Sequence, residues 1–451
     1  MKRKVLLISR RTAKAEALVR CWPEDKWDLY LYTDKRDEWF PGMTEKLGQN
    51  WISHHPVKNG GPDSNQMKEI IENKFALTSF LKVQKKKIRK HLLLKYIRVY
   101  DRHYWSWTLP SYKKITPIIE RIKPDVMISI YGPLAASLIA RKIAVRFGVP
   151  WIAYFRDHCT TFDRMVRVPV LWHVQSWIDR WIHGPVSSLT GVSSRFVDIL
   201  NRFYKIPKSQ SNVITGGFDD RNLPAETRQR SAERRRKKTP VADKEDGQSP
   251  RLKIHYAGKF YEYRTEPLSI LLDAIQILLD KGVPCELKLI ISNAFHYFPL
   301  KIRQRISDLE SKGLLAAIGD TKVPYRQALR IFDSADLNII LEGMHPPQST
   351  AGTLTLKIFD LMMIAKPVIA ICAPSLPIGE YLQETGIGID RKDVEQVANS
   401  LDEIWEWKKG GKPPNWYSPD AEAIEQYSYS SMAQKMSELC EEVYNRSLHS
   451  N

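Results

Sequence analysis

Three clusters of polar residues stand where a chain of alternating strands and helices could use them. The first is Arg156-Asp157-His158, directly after the apolar run Trp151–Phe155. Ligands of open α/β sheets bind at the carboxyl edges of strands, so charged side chains there point to a site rather than to packing. The second is Gly258-Lys259, followed by Arg264 on the same loop. A glycine at a strand end lets a diphosphate approach the backbone, and nearby cations neutralise it. The third is Lys357 and Asp360, whose spacing puts both on one face of a helix. Lys366-Pro367 and another apolar run follow.

The elements that must position these clusters are legible in the hydrophobic pattern. Lys123–Asp163 reads as a β-α-β unit. Its parts are a strand at Asp125–Ile130, a loop at Tyr131-Gly132-Pro133, a helix at Leu134–Phe147 and a strand at Trp151–Phe155. Parallel strands place Gly132, Pro133 and the Arg156 cluster on one sheet edge. Earlier come a strand at Lys4–Ser9, a helix at Thr12–Cys21, a strand near Asp28–Tyr32 and a long helical period over Asn65–Arg98. Helices at Val170–His183 and Ser194–Phe203 alternate with strands at Ser188–Val192 and Asn212–Thr215. Gly216-Gly217-Phe218-Asp219 then reads as a turn.

From Leu223 to Pro250 large apolar residues almost vanish, which predicts a mobile basic linker. Alternation then restarts. Strands are expected at Leu252–Ala257, Glu286–Ile291, Leu337–Leu341 and Val368–Cys372. Helices are expected at Glu266–Lys281, Leu300–Ser311, Tyr325–Ser334, Thr355–Ile364, Val394–Trp407 and Ser430–Asn445. The reading is two doubly wound, Rossmann-like α/β domains, 1–222 and 251–426, around a linker at 223–250, with a closing helical segment at 427–451.

A chain of 451 residues suits two cores. No apolar run approaches the ~20 residues of a membrane span. The start, MKRKVLLISRR, reads as a strand rather than a signal peptide. Five scattered cysteines without C-x-x-C spacing fit a reducing, cytoplasmic setting. The net charge is +18, and two stretches, Lys82–Arg102 and Arg228–Lys238, carry most of it. The first lies beside Tyr104, Trp105 and Trp107, a pairing that suits an anionic membrane surface. A merely solvated face and nucleic acid are the rival readings of such charge, and no nucleic-acid-binding module signature accompanies it. No D-x-D, zinc spacing or nucleophile elbow occurs.

These residues carry a resemblance. Gly132-Pro133, the helix after it and the strand ending Phe155-Arg156-Asp157 resemble the N-terminal half of a bacterial glycosyltransferase of the GT-B fold, family 4-like. The aromatic-rich stretch Asp101–Pro124 resembles the same branch. Tyr131 and Leu134 depart from that branch's Ser-Gly-Pro-Pro loop. In the second half, Gly258, Lys259 and Arg264 fall where the family binds the donor's diphosphate. Asp360 falls where an acidic residue binds the ribose hydroxyls, and Lys357 matches the family's Lys-x-x-Glu helix. Gly352 stands where the wider family has a second Glu, and the backbone amides of Gly352, Thr353 and Leu354 could replace it at the helix start.

The resemblance implies two domains facing across a cleft, with the last helix crossing back to the first. It implies transfer of a sugar from a nucleotide-sugar donor, with retention, to a glycan or polyprenyl-diphosphate-linked acceptor in cell-surface polysaccharide synthesis. It implies an enzyme peripheral on the inner face of the cell membrane, with no cofactor and no metal. Lys259, Arg264 and Lys357 would stabilise the departing diphosphate. Arg156, Asp157 and His158 would face the acceptor. Many relatives have a His in the place of Arg156; an arginine cannot act as a base near neutral pH, so it would bind charge or orient the sugar. A GT-B sugar-nucleotide epimerase and a non-catalytic scaffold of a polysaccharide assembly complex are the alternatives.

Overall fold

The computed structural model describes residues 2–9, 12–33, 46–53, 109–131, 135–156, 169–236, 251–292, 298–318, 323–346, 352 and 354–449. The chain divides into two compact units. The first is Met1–Thr215 with Ala433–Asn451, and the second is Gly216–Met432.

The first unit is built on a parallel sheet of strands β1 (Arg3–Ile8), β2 (Trp27–Thr33), β3 (Trp51–Ser53), β4 (Val126–Ile130), β5 (Trp151–Phe155), β6 (Ser188–Gly191) and β7 (Ser211–Val213). Their order across the sheet is β3-β2-β1-β4-β5-β6-β7. Every residue of β4 and β5 is buried, as in strands covered on both faces by crossover helices. The order reverses between β1 and β4, so Tyr131, at the end of β4, marks the switch point of this sheet.

The second unit repeats the plan with β8 (Leu252–Lys259), β9 (Cys285–Ser292), β10 (Leu315–Ile318), β11 (Leu337–Leu341), β12 (Val368–Ile371) and β13 (Gly388–Arg391). The order is β10-β9-β8-β11-β12-β13, again all parallel, with the reversal between β8 and β11. The pleat shares the strand residues between two cores. Ile254, Ile339 and Ile369 enter one; Ala257, Ile340 and Ala370 enter the other.

Both switch points are tied at their far ends by the same device. Asp125, just before β4, accepts from the Lys4 amide of β1 at 2.7 Å. Asp336, just before β11, accepts from the Lys253 amide of β8 at 2.8 Å. Each aspartate amide also donates back, to the Lys4 carbonyl in one sheet and the Lys253 carbonyl in the other. The strand pair that flanks each crevice is thereby fixed in register.

The segment 223–250 departs from its reading as a mobile linker. Ala225–Arg236 is a helix of the second unit, and 237–250 lies outside the described residues. Apolar periodicity could not reveal it, because polar groups hold it down. Asp333, almost fully buried, accepts from Thr227, Arg230 and Arg234. Ser231 donates to the Met363 carbonyl, Arg234 to the Ile364 carbonyl at 3.0 Å, and Arg235 pairs with Asp220. Arg230, Arg234 and Arg235 of this basic stretch thus act as clamps.

The boundary accordingly falls at Gly216 rather than after 222. A Cβ on Gly216 would meet the Phe359 ring at 2.6 Å, and one on Gly217 would meet Tyr429 at 2.8 Å, so close packing requires both glycines. Asp219 caps the turn that follows by accepting from the Arg221 amide. The last helix, Tyr429–His449, carries the other boundary. Its residues from Ala433 count with the first unit, where Glu441 pairs with Arg3 and Lys26. The basic stretch Lys82–Arg102 lies outside the described residues. Among the described residues, no helix is long and apolar enough to cross a membrane.

Candidate active site

The second switch point gathers the residues of the second and third polar clusters. Gly258 and Lys259 end β8, and Glu342 follows its neighbour β11. A single-turn helix at Glu262–Arg264 then leads into the helix Thr265–Asp280. Gly258 has φ +149°, a conformation open to glycine. The space that a side chain would fill there is occupied: a Cβ would lie 2.5 Å from Lys357 Nζ. A cavity of about 230 Å³ opens beside it, lined among others by Gly258, Lys259, Tyr325, Lys357 and Asp360.

Lys357 opens the helix Lys357–Ile364, which buries Ile358, Phe359, Leu361 and Met362 and so leaves its polar residues at the cavity. The helix closes on Ala365 in the left-handed conformation, φ 55°, and runs directly into β12. Nζ of Lys357 is sealed from solvent, although part of the side chain is not, and has no hydrogen-bond partner. It lies 4.1 Å from the centre of the Tyr256 ring, a cation–π distance. Burial, and then the charge of Arg264, lower its pKa to about 7. Its place at a helix N-terminus, where free amides carry partial positive charge, acts in the same direction.

One helical turn on, Asp360 accepts a hydrogen bond from Tyr325 Oη at 2.6 Å. Burial raises its pKa to about 6, opposed by that hydrogen bond and by Lys357. Lys357 and Asp360 thus face one cavity, as their spacing predicts.

Arg264 is placed otherwise than a free diphosphate ligand. Its guanidinium is buried and pairs with Glu342, while Nη1 donates to the Lys259 carbonyl and, at 3.4 Å, to Tyr256 Oη. Its carbon lies 5.1 and 5.3 Å from the ring centres of Tyr261 and Tyr263, which stack on each other. The arginine therefore fastens the β8 loop to the end of β11. Lys259 is exposed.

Gly352 is buried, Leu354 half-buried, and the helix begins only at Lys357. The amides at its start are therefore those from Lys357 on, not those of Gly352 and Leu354; Thr353 lies outside the described residues. In the first unit Arg156 is half-buried directly after β5. Gly132, Pro133, Asp157 and His158 lie outside the described residues.

Sequence reasoning missed Glu342, Tyr325 and Tyr256. Glu342 carried a usable signal, a charge directly after an apolar strand, the same signal that drew attention to Arg156. Tyr325 and Tyr256 carried none, since their roles come from packing across elements. Among the described residues, no group of three or more His, Cys, Asp or Glu could hold a metal ion.

Solved structures share this fold over nearly the whole chain. A glycosyltransferase from Rickettsia africae matches with a TM-score of 0.56 at 14% identity, covering 98% of both chains. The sucrose-phosphate synthase of Thermosynechococcus elongatus matches with a TM-score of 0.56 at 12% identity, covering 99% of this chain and all of its own. Anabaena HepE in complex with UDP matches with a TM-score of 0.54 at 14% identity, covering 97% of this chain and 99% of its own. The chain has the two-domain α/β fold of GT-B glycosyltransferases. No protein-family model and no curated protein matches it.

Proposed function

We propose that this protein is a glycosyltransferase, family 4-like, that moves a sugar from a nucleoside-diphosphate donor with retention. The observation that carries the reading is the cluster at the second switch point: Gly258, Lys259, Lys357 and Asp360 around one cavity, braced by Arg264 and Glu342. Asp360 holds the ribose hydroxyls. Lys259 and Lys357 neutralise the diphosphate as it leaves, so the reaction needs no metal or other cofactor. Arg264 acts through the loop it fastens, not by touching the phosphates. HepE, a solved structure of like fold, holds UDP, which supports a nucleotide donor. Arg156, Asp157 and His158, with Gly132 and Pro133, serve the acceptor.

The acceptor in this reading is a glycan or polyprenyl-diphosphate-linked chain of bacterial surface polysaccharide synthesis, met at the inner face of the membrane. A basic aromatic face of the first unit supports it. The helices Ala135–Phe147 and Pro169–His183 carry Arg141, Lys142, Arg146 and Arg180, and their one carboxylate, Asp179, is buried. On the same two helices Trp177 is 67% exposed and Val145 64%. Arg141 lies 4.0 Å from the ring centre of the half-exposed Trp181. Amphipathic aromatics beside cations suit the headgroup layer of an anionic bilayer.

Donor consumption tests the enzyme. UDP-, GDP-, ADP- and dTDP-sugars are supplied with and without a bacterial lipid extract. Release of nucleoside diphosphate that depends on the extract and is lost in Asp360→Ala supports the reading. An epimerised donor sugar without acceptor would point to an epimerase, and no turnover or binding of any donor to a scaffold. For the membrane, Trp177→Ala/Trp181→Ala should bind anionic vesicles several-fold more weakly than wild type; equal binding removes this face from the account.

A further inference from the structure

We infer that Lys357 is a proton-coupled cation: with the site empty its amine is folded over Gly258, and a donor diphosphate binds by drawing it out and protonating it. The inference rests on the proposed function and concerns the regulation of that same site.

Three geometric facts point to it. The amine sits in the niche that only glycine leaves open, against the β8 backbone that a phosphate would approach under the proposed function. The same residue lines the adjoining cavity while its amine is sealed off, so a rotation of the flexible side chain brings the amine out to a ligand. It has no hydrogen-bond partner, whereas the other polar side chains described around it are each engaged through at least one group, Arg264 leaving only its Nε without a partner. Those groups are Arg264 and Glu342, paired with each other; Asp360, bonded to Tyr325; Tyr256, contacted by Arg264; and Lys259, exposed to water.

An ammonium in such a niche gives up its hydration and is repelled by the Arg264 guanidinium; the face of Tyr256 and the charges of Glu342 and Asp360 favour it but do not make up that loss. The neutral amine is the form the empty site prefers, in keeping with a pKa lowered to about 7. A diphosphate reverses the balance. Its negative charge pairs with the ammonium, and a proton is taken from solvent as the complex forms. The site thereby avoids holding an uncompensated cation when empty and supplies a full one when loaded. A second consequence is steric: the niche over Gly258 holds either the folded lysine or a phosphate, not both.

Calorimetric titration with UDP, and with GDP and ADP in parallel, tests this at pH 8 in buffers of different ionisation enthalpy. The nucleotide is fully ionised there, so proton traffic reports the protein. Wild type should take up close to one proton per nucleotide. By linkage, affinity should weaken about tenfold between pH 8 and pH 9. Lys357→Arg keeps a cation that does not titrate in this range and should bind with no uptake and a flat profile. Lys357→Met should lose both the uptake and most of the affinity; circular dichroism checks that each variant is folded. Nucleotide binding by wild type without uptake, or uptake that persists in either variant, overturns the inference while leaving the donor site standing. Failure of wild type to bind any nucleoside diphosphate overturns both.

Discussion

His183 in the first unit and Lys357 in the second are both buried basic groups, and burial suppresses the charge of each. Their surroundings differ. His183 has both ring nitrogens in use, Nδ1 with the Asp179 carbonyl at 2.9 Å and Nε2 with Ser137 Oγ at 3.1 Å. Its ring packs among Tyr131, Trp151, Phe155 and Tyr204. Burial, offset in part by the Asp179 carbonyl, lowers its pKa to about 4, so it is a neutral core residue. Lys357 has no partner for its amine and borders a cavity. A buried polar group with all its bonds made is architecture; one without them, beside open space, is a candidate for binding a ligand. The two switch points differ in the same sense. Behind the first, at Tyr131, lies a satisfied aromatic core; the second carries charge that is only partly matched.

The largest effect is expected where the matched charge is broken. Glu342→Ala leaves the Arg264 guanidinium buried and unpaired and should cost about 3–5 kcal/mol in urea unfolding. Replacing both by apolar residues of similar volume should recover most of that loss. A cost below about 1 kcal/mol for Glu342→Ala would mean that the pair does not hold the loop.

Next comes Asp360→Ala. Losing a hydrogen bond to an ionised group costs about 1.5–3 kcal/mol, so nucleotide affinity should fall roughly ten- to hundredfold. Stability should not fall with it, because burial already disfavours the Asp360 carboxylate. A protein that unfolds instead would make Asp360 a structural residue, like His183.

His183→Phe should do the reverse, with unchanged nucleotide affinity and about 1–3 kcal/mol of stability lost from the orphaned partners. It should also remove an acid limb. The unfolded histidine binds protons below about 6.5, while the folded one resists down to about 4. The wild type therefore gains stability as pH rises through that window and loses it on acidification. Melting curves between pH 4 and 7 should be flatter for the variant; an unchanged slope would mean that His183 titrates normally.

Lys357→Met sharpens the contrast in the opposite direction. The lysine pKa is lowered in the fold, so the unfolded chain binds the extra proton and stability rises with pH above about 7. The variant should melt above wild type near pH 7, and the gain should shrink as pH approaches 10. A variant that melts lower throughout would show that the amine is anchored after all. The smallest effect is expected for the exposed Lys259: Lys259→Ala should weaken nucleoside diphosphate binding a few-fold and monophosphate binding less. Equal losses would place it away from the β-phosphate.

What the sequence disclosed follows the physics of each element. Strands such as Trp151–Phe155 and Leu337–Leu341 are unbroken apolar runs, and their bounds could be read directly. The turn at Gly258-Lys259 and the Lys357–Asp360 spacing were legible because chemistry at a strand end or on a helix face has a local pattern. Glu342 obeyed the same rule and was overlooked. The helix Ala225–Arg236 was illegible because its hold on the protein is polar, through Asp333, a partner about a hundred residues away. The pairing of Arg264 with Glu342 was hidden for the same reason. A loop cation looks alike from the sequence whether it waits for a phosphate or is already neutralised.

The most direct test of the central claim, that the β8–β11 switch point holds a nucleoside diphosphate, is the melting temperature of wild type and Asp360→Ala with UDP, GDP, ADP, dTDP and CMP. A ligand that binds only the folded state at a hundred times its Kd adds about 2.7 kcal/mol and raises the melting point visibly. The account predicts such a rise with one diphosphate in wild type and a clear reduction of it in Asp360→Ala. No rise with any nucleotide at millimolar concentration, or an equal rise in both proteins, would contradict it.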